Sequence, residues 1–346
     1  MAKPLTYESI EIEGFTLESG REFAPARVGC AFWGASADVA ERIVVLPSYY
    51  SGTALSYEPW AGATGLFDPE TCRIVAFDQF GAGKSSKPSD GYGLAAWPLP
   101  SLSDNVRAQK RALETLGIDR IDLVAGWSMG APPAFTWHAL FPNAIGGALA
   151  VCATPAPSAV NRVFLEGIRS VLVGKPGQAG LADLDALPAG ELHRRLSAFG
   201  AVYAGWAYSD EFFLSGAYRQ FGYESPEAVL AGWAREHVAM GAADLAAQLD
   251  AWLHAETPER ALKNAESNAA DPPLVAMPSH TDRYFLTATL ADARERFPGM
   301  EVVEIDSDLG HIAGRPGIRK AETDQIKTQV DRLFARIPPQ HSEGIS

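Results

Sequence analysis

Gly126-Trp127-Ser128-Met129-Gly130 is the stretch on which the fold of this 346-residue chain turns. It follows a short apolar run, Ile121 to Ala125, which begins just after Gly117, a residue suited to stop a helix. A helix-compatible segment comes directly after it. Strand, sharp turn and helix form the setting in which Gly-x-Ser-x-Gly becomes a nucleophile elbow. The serine then sits on a strained turn with its hydroxyl presented. The two glycines leave room for backbone that a Cβ would obstruct. The pattern predicts that Ser128 carries an acyl group, as in a serine hydrolase or an acyltransferase.

Working outward, strands are expected at Ile10–Phe15, Ala26–Trp33, Arg42–Leu46, Arg73–Asp78, Ile121–Ala125, Gly147–Cys152, Leu274–Met277 and Glu301–Ile305. Helical patterns separate the later ones. Asp104 to Leu116 is one, with Ser103 or Asp104 as its cap and Gly117 as its stop. Pro132-Pro133 to Leu140 is another, since prolines are tolerated in a first turn. The last helix carries Ile326, Val330, Leu333, Phe334 and Ile337 as a one-face apolar stripe. Hairpin-like strands followed by β-α alternation predict an α/β sheet, mostly parallel, with antiparallel strands at its start.

The alternation stops after Cys152 and resumes at Pro272-Pro273-Leu274-Val275. Between them the chain reads as helical and is rich in alanine, leucine and aromatic residues. This predicts a core of residues 1–154 and 269–346, with residues 155–268 inserted as a helical cap. The tail, Pro338 to Ser346, is expected to fray.

A serine hydroxyl needs a base to take its proton, and the base is held in its tautomer by a carboxylate. After a serine on such an elbow, the acid and then the histidine follow on loops after late strands. Asp282, in Pro278-Ser279-His280-Thr281-Asp282-Arg283, stands where the acid belongs. His311, after Asp306-Ser307-Asp308-Leu309-Gly310, stands where the base belongs. Asp306 and Asp308 are alternative acids on the histidine's own loop. His138, His193, His237 and His254 fall in helical segments, His341 in the tail, and His280 on the acid's loop. The oxyanion of a tetrahedral intermediate needs two donors. The Met129 N–H follows the nucleophile. The second is expected from Pro47-Ser48-Tyr49-Tyr50-Ser51-Gly52-Thr53, with the Tyr50 N–H the first choice. Tyr49 and Trp127 are candidates to line a pocket.

Composition narrows the remaining classes. Hydrophobic residues make up 47% of the chain, and the net charge is -13. A sizeable core is expected, and a nucleic-acid or anionic-membrane partner is not. No apolar run approaches the roughly 18–20 residues of a membrane span, and no apolar signal segment opens the chain. Cys30, Cys72 and Cys152 lie far apart in strand-like settings. They are read as buried free thiols in a cytoplasmic protein. Gly81-Ala82-Gly83-Lys84-Ser85-Ser86 imitates a phosphate loop, but Asp78 occupies the position where the nucleotide motif requires its first glycine. No cluster has metal-ligand spacing, and no metal or cofactor is expected.

The chain resembles the homoserine O-acetyltransferase branch of the α/β-hydrolase superfamily, including its esterase-like members. The likeness runs from about Arg42 to Arg336 and rests on several stretches besides the elbow. These are the early loop ending Ser51-Gly52-Thr53, Phe135 to Pro142, Ser158-Ala159-Val160-Asn161, Thr281-Asp282-Arg283-Tyr284-Phe285 and Gly310-His311. The resemblance implies an α/β-hydrolase fold with an inserted helical cap, an acyl-enzyme mechanism and a homodimer formed through the cap. It matches Arg169 to an arginine that the transferases use for the substrate carboxylate. Two features depart from them. Trp127 and Ala131 replace the outer glycines of their elbow, Gly-Gly-Ser-Met-Gly-Gly. Ile312 follows His311, where they carry an aspartate that holds the substrate's ammonium. The expected activity is therefore hydrolysis of small, acetyl or short-acyl esters by a serine carboxylesterase. The alternative is homoserine O-acetyl transfer, with acetyl-CoA as co-substrate.

Overall fold

The computed structural model describes residues 3–62, 65–174, 184, 186–258 and 271–339. Its centre is an eight-stranded sheet. The strands are β1 (Lys3–Ile12), β4 (Ala26–Gly34), β5 (Arg42–Pro47), β6 (Cys72–Phe77), β7 (Ile121–Trp127), β8 (Ile145–Val151), β9 (Leu274–Met277) and β10 (Glu301–Val302), in the order β1-β4-β6-β5-β7-β8-β9-β10. A small hairpin joins β2 (Phe15–Thr16) to β3 (Glu22–Phe23). Within the eight-stranded sheet β4 pairs antiparallel with β1 and β6, and every other pair is parallel. This is the predicted sheet. Strands β5 to β9 are buried almost throughout, which is why they read as apolar runs without alternation.

The first strand is longer and earlier than expected. Lys3–Ile12 pairs along β4, a turn follows, and Phe15 belongs to the hairpin. β1 is an edge strand with an exposed face, so its residues Thr6 to Glu11 lack the apolar run by which inner strands announce themselves. Helix α1 spans Leu102–Thr115 and is capped by Ser101, not by Ser103 or Asp104. Ser101 accepts from the Asp104 N–H, and Asp104 accepts from the Ser101 N–H, a reciprocal box that places Asp104 inside the helix. Gly117 follows with φ +70°, as its role of stop requires.

Helix α2 (Pro132–Leu140) leaves the elbow and packs on β7 and β8. Between β8 and β9 lie α3 (Ala159–Val173), α4 (Ala189–Ala207), α5 (Asp210–Leu214), α6 (Pro226–Val238) and α7 (Ala242–Leu253). The expected return to the core at residue 269 falls outside the described residues, as do His341 and most of the predicted frayed tail. The inserted helices are stitched to the sheet's loops. Arg283 donates to the Gly205 carbonyl at 2.7 Å, and Gln248 donates to the Gly81 carbonyl at 3.0 Å. Helix α8 (Leu290–Arg296) and the long α9 (Lys320–Arg336) complete the chain, with Ile326, Val330 and Leu333 buried on one face of α9.

Candidate active site

The carboxyl ends of parallel strands are where an open α/β sheet exposes loop backbone to a ligand, and the predicted residues gather there. Ser128 follows β7 with φ +56°, a region few side-chain-bearing residues adopt. Its two glycines are sterically required. A Cβ on Gly126 would lie 2.0 Å from the Gly130 carbonyl oxygen, and one on Gly130 would lie 2.3 Å from that of Pro47.

His311 follows β10 in a short turn, Gly310–Gly314, and Asp282 follows β9. The His311 Nε2 lies 2.8 Å from Ser128 Oγ, and its Nδ1 lies 2.7 Å from Asp282 Oδ2. The second carboxylate oxygen, Oδ1, accepts from the Tyr284 and Phe285 N–H groups, both at 3.0 Å. Both oxygens of Asp282 are thus acceptors, so His311 carries its proton on Nδ1 and offers a lone pair at Nε2 to the serine hydroxyl. All three side chains are buried. The imidazole is stacked against Trp127 at 5.1 Å, with Tyr284 at 4.4 Å and Phe285 at 5.5 Å. Asp306 is 98% exposed at its side chain, and Asp308 pairs with Arg319 at 2.6 Å, so neither faces the imidazole.

Gly310 explains how the histidine is delivered. It has φ +69°, and a Cβ there would come within 2.6 Å of the Ser209 backbone nitrogen in the inserted helices. The Ser209 hydroxyl also donates to the Asp308 carbonyl. The histidine loop is therefore pressed against the inserted helices, and only glycine fits the contact.

The remaining predicted residues divide. Tyr49, Tyr50, Trp127, Ser128 and His311 line one cavity of about 120 Å³. The Tyr49 ring stands edge-on to Trp127 at 4.6 Å. The Tyr50 ring is buried among Phe199, Tyr203 and Trp252, and its hydroxyl donates to the Leu245 carbonyl at 3.2 Å. That side chain locks the inserted helices onto the early loop. Met129 follows the serine in the turn Ser128–Gly130 with its side chain buried. Arg169 does not reach the cavity. It lies in α3, 7% exposed, with its Nε 2.6 Å from Asp250 of α7.

Contacts made by two residues escape the sequence reading. Gln79 follows β6 and is buried. Its amide donates to the Ser48 carbonyl at 2.5 Å and to the Met129 carbonyl at 3.0 Å, while its own N–H donates to Ser48 Oγ at 3.0 Å. One side chain thus ties the loop of Tyr50 to the turn of Met129. Trp127 does more than line the cavity, because its Nε1–H donates to the His311 carbonyl at 3.1 Å. Neither contact has a local signal, since the partners are 31, 50 and 184 residues away.

Cys152, Asp282 and His311 bring potential ligand atoms within 4.8 Å of one another. The set does not suit a metal ion. Burial raises the Cys152 thiol well above its ordinary pKa, which keeps it protonated. The other two are already bound to each other. Cys30, Cys72 and Cys152 are all buried free thiols. Among the described residues, no helix is long and apolar enough to cross a membrane.

Residues 42–313 match the family model described as alpha/beta hydrolase fold, and the chain belongs to that family. It is 28% identical over 344 residues to an ethyl acetate hydrolase from Pseudomonas veronii, a match covering 95% of each chain. The solved structure of the acetyl esterase MekB superposes with a TM-score of 0.84 at 25% identity, covering 95% of this chain and 97% of that one. A homoserine O-acetyltransferase from Chlorobium chlorochromatii is 30% identical over 170 residues, covering 46% of this chain and 47% of that one. The family thus reaches this chain through both esterases and acetyltransferases, as the sequence resemblance implied.

Proposed function

We propose that the chain is a serine carboxylesterase that hydrolyses small esters through Ser128, His311 and Asp282. The observation that carries this reading is the unbroken relay from Ser128 through His311 to Asp282, at 2.8 and 2.7 Å, opening on a cavity of about 120 Å³. An apolar cavity of about 150 Å³ accepts a benzene molecule. A space of this size therefore suits an acetyl or short-acyl group with a small alcohol, in keeping with the esters named for its relatives.

In the reaction, His311 Nε2 takes the Ser128 proton as Oγ attacks the ester carbonyl. The N–H groups of Tyr50 and Met129 receive the oxyanion. The imidazolium, steadied by Asp282, then gives its proton to the departing alkoxide and leaves an acyl-Ser128. Water, deprotonated by the same nitrogen, attacks the acyl carbonyl. Collapse of that second intermediate releases the acid and restores the serine. The steps so written draw on no metal or cofactor. Acyl transfer to homoserine is not favoured, because Arg169 is paired with Asp250 and buried Ile312 stands where an ammonium would need a carboxylate.

Two further expectations belong to this reading. Three buried free thiols support a reducing, cytoplasmic setting. Val160 and Val163 on α3, Val202 on α4 and Leu214 on α5 are exposed apolar side chains in the inserted helices. They support a homodimer formed through that cap. The decisive test is turnover of p-nitrophenyl acetate by wild type and Ser128→Ala. Turnover should vanish in the variant, and full activity there would remove Ser128 as nucleophile.

A further inference from the structure

His237, on α6, lines the cavity that holds Ser128 and His311 and takes no part in the chemistry above. It is 2% exposed. Aromatic rings fix it in place: it stacks on Trp233 at 5.8 Å and meets Phe199 at 5.4 Å and Tyr203 at 5.9 Å. Gly200 on α4 makes the room, since a Cβ there would lie 2.9 Å from His237 Nδ1 and 2.5 Å from the Trp233 carbonyl oxygen.

The proton on this ring can be placed. Nδ1 lies 2.8 Å from the Trp233 carbonyl oxygen. A carbonyl only accepts, so Nδ1 carries the hydrogen. Burial lowers the pKa of the ring below its ordinary value, which leaves it neutral at neutral pH. Nε2 is then a bare acceptor, and it finds no hydrogen-bond partner among the described residues. Buried acceptors without a donor are costly and uncommon in native proteins. One on a residue that lines the cavity of Ser128 points to a ligand that brings the donor.

We infer that the cavity takes a short ester bearing a free hydroxyl, whose O–H donates to His237 Nε2. The inference rests on the esterase reading and narrows its substrate class. A hydroxyl suits the wall better than an ammonium, because the rings around His237 are uncharged and a cation buried among them would lack a counter-charge. Glu236 lines the same cavity but is itself exposed to solvent. The hydroxyl can belong to the alcohol or to the acyl part of the ester.

Two isosteric pairs separate these sources. 2-Hydroxyethyl acetate against propyl acetate tests the alcohol side, and ethyl lactate against ethyl 2-methylpropanoate tests the acyl side. In at least one pair, kcat/KM should favour the hydroxy ester by roughly tenfold or more. In His237→Phe that ratio should fall to about one, because the ring remains but the acceptor is gone. The ratio is taken within one protein, so a partly folded preparation does not distort it. His237→Leu serves if the phenylalanine variant does not accumulate. Wild-type ratios of about one in both pairs overturn the inference, as does a preference that survives in the variant. If wild type hydrolyses none of the four esters, the esterase reading itself fails, and the two failures are told apart.

Discussion

Asp282→Asn is the sharpest perturbation of this site, because the surroundings dictate which way the new amide must turn. Oδ1 faces two N–H donors at 3.0 Å, and Oδ2 faces His311 Nδ1 at 2.7 Å. An asparagine with its NH2 toward Tyr284 and Phe285 would set donor against donor twice. The other orientation keeps both backbone bonds and points the NH2 at Nδ1. That nitrogen must then give up its hydrogen and accept, so the imidazole carries its proton on Nε2, facing Ser128. The base is in the wrong tautomer. Turnover should fall by roughly 10⁴-fold, or about 5.5 kcal/mol of barrier. The fold should barely respond, since the backbone bonds survive and only their charge assistance is lost, at about 1 kcal/mol. The assay is p-nitrophenyl acetate turnover beside a chemical denaturation curve. A variant that keeps a tenth or more of wild-type kcat would refute the assignment of Asp282 and the tautomer argument together.

Gln79→Leu removes both donors that tie the Ser48 and Met129 carbonyls, so kcat should drop roughly ten- to hundredfold with KM little changed. Steady-state kinetics on one short ester decides it, and a rise in KM alone would count against a role in holding the proposed oxyanion donors. Gly310→Ala places a Cβ 2.6 Å from Ser209 backbone at φ +69°; denaturation should show a loss of roughly 2–4 kcal/mol. Val163 and Leu214 are 66% and 86% exposed. Changing both to aspartate should shift a dimer to monomers in sedimentation velocity while leaving the melting curve of the monomer in place. His237 supplies a pH test with a definite sign. Its folded pKa lies below the ordinary 6.5, so as pH falls below that value the unfolded chain takes a proton that the folded chain resists. The stability present at higher pH is thereby lost, and His237→Phe should lose less on going from about pH 7.5 to about pH 5. Equal losses in the two proteins would place the buried ring elsewhere than the structure does.

Much of this molecule was legible because its decisive features are local in sequence. A strained turn needs glycine on both sides of its serine, and inner parallel strands read as unbroken apolar runs. Chain order then ranked the acid and the base. What stayed hidden depends on through-space contacts. Arg169 resembles a binding residue by its place in the sequence, whereas its partner in the fold is Asp250, 81 residues away. Sequence places the α1 cap two or three residues late because Ser103 and Asp104 are both good capping types. Only the reciprocal bonds between Ser101 and Asp104 single out the right one. By sequence His237 is one more histidine in a helix, and nothing nearby tells that it lines the cavity of Ser128 with its Nε2 buried and without a donor among the described residues.

Trp127 shows that the departures from the acetyltransferase pattern are coupled changes. A tryptophan at an elbow position that is glycine in those enzymes must find space, and the space comes from Gly314, where a Cβ would lie 2.4 Å from Trp127 Cδ1 and 2.6 Å from Val151 Cγ1. The indole then holds the backbone of the histidine it stacks upon. Ile312, between His311 and that glycine, is buried and faces the same cavity as Trp127. An aspartate there would be a carboxylate taken out of water beside aromatic walls, at a desolvation cost that the solvent-exposed Arg315 of the same cavity offsets only in part. The elbow tryptophan, the apolar residue after the histidine and the glycine beyond it therefore stand or fall together. Trp127 and Ile312 give the cavity an apolar wall poorly suited to a charged amino acid, Gly314 makes the room that Trp127 needs, and the serine relay stays intact for a small ester and water.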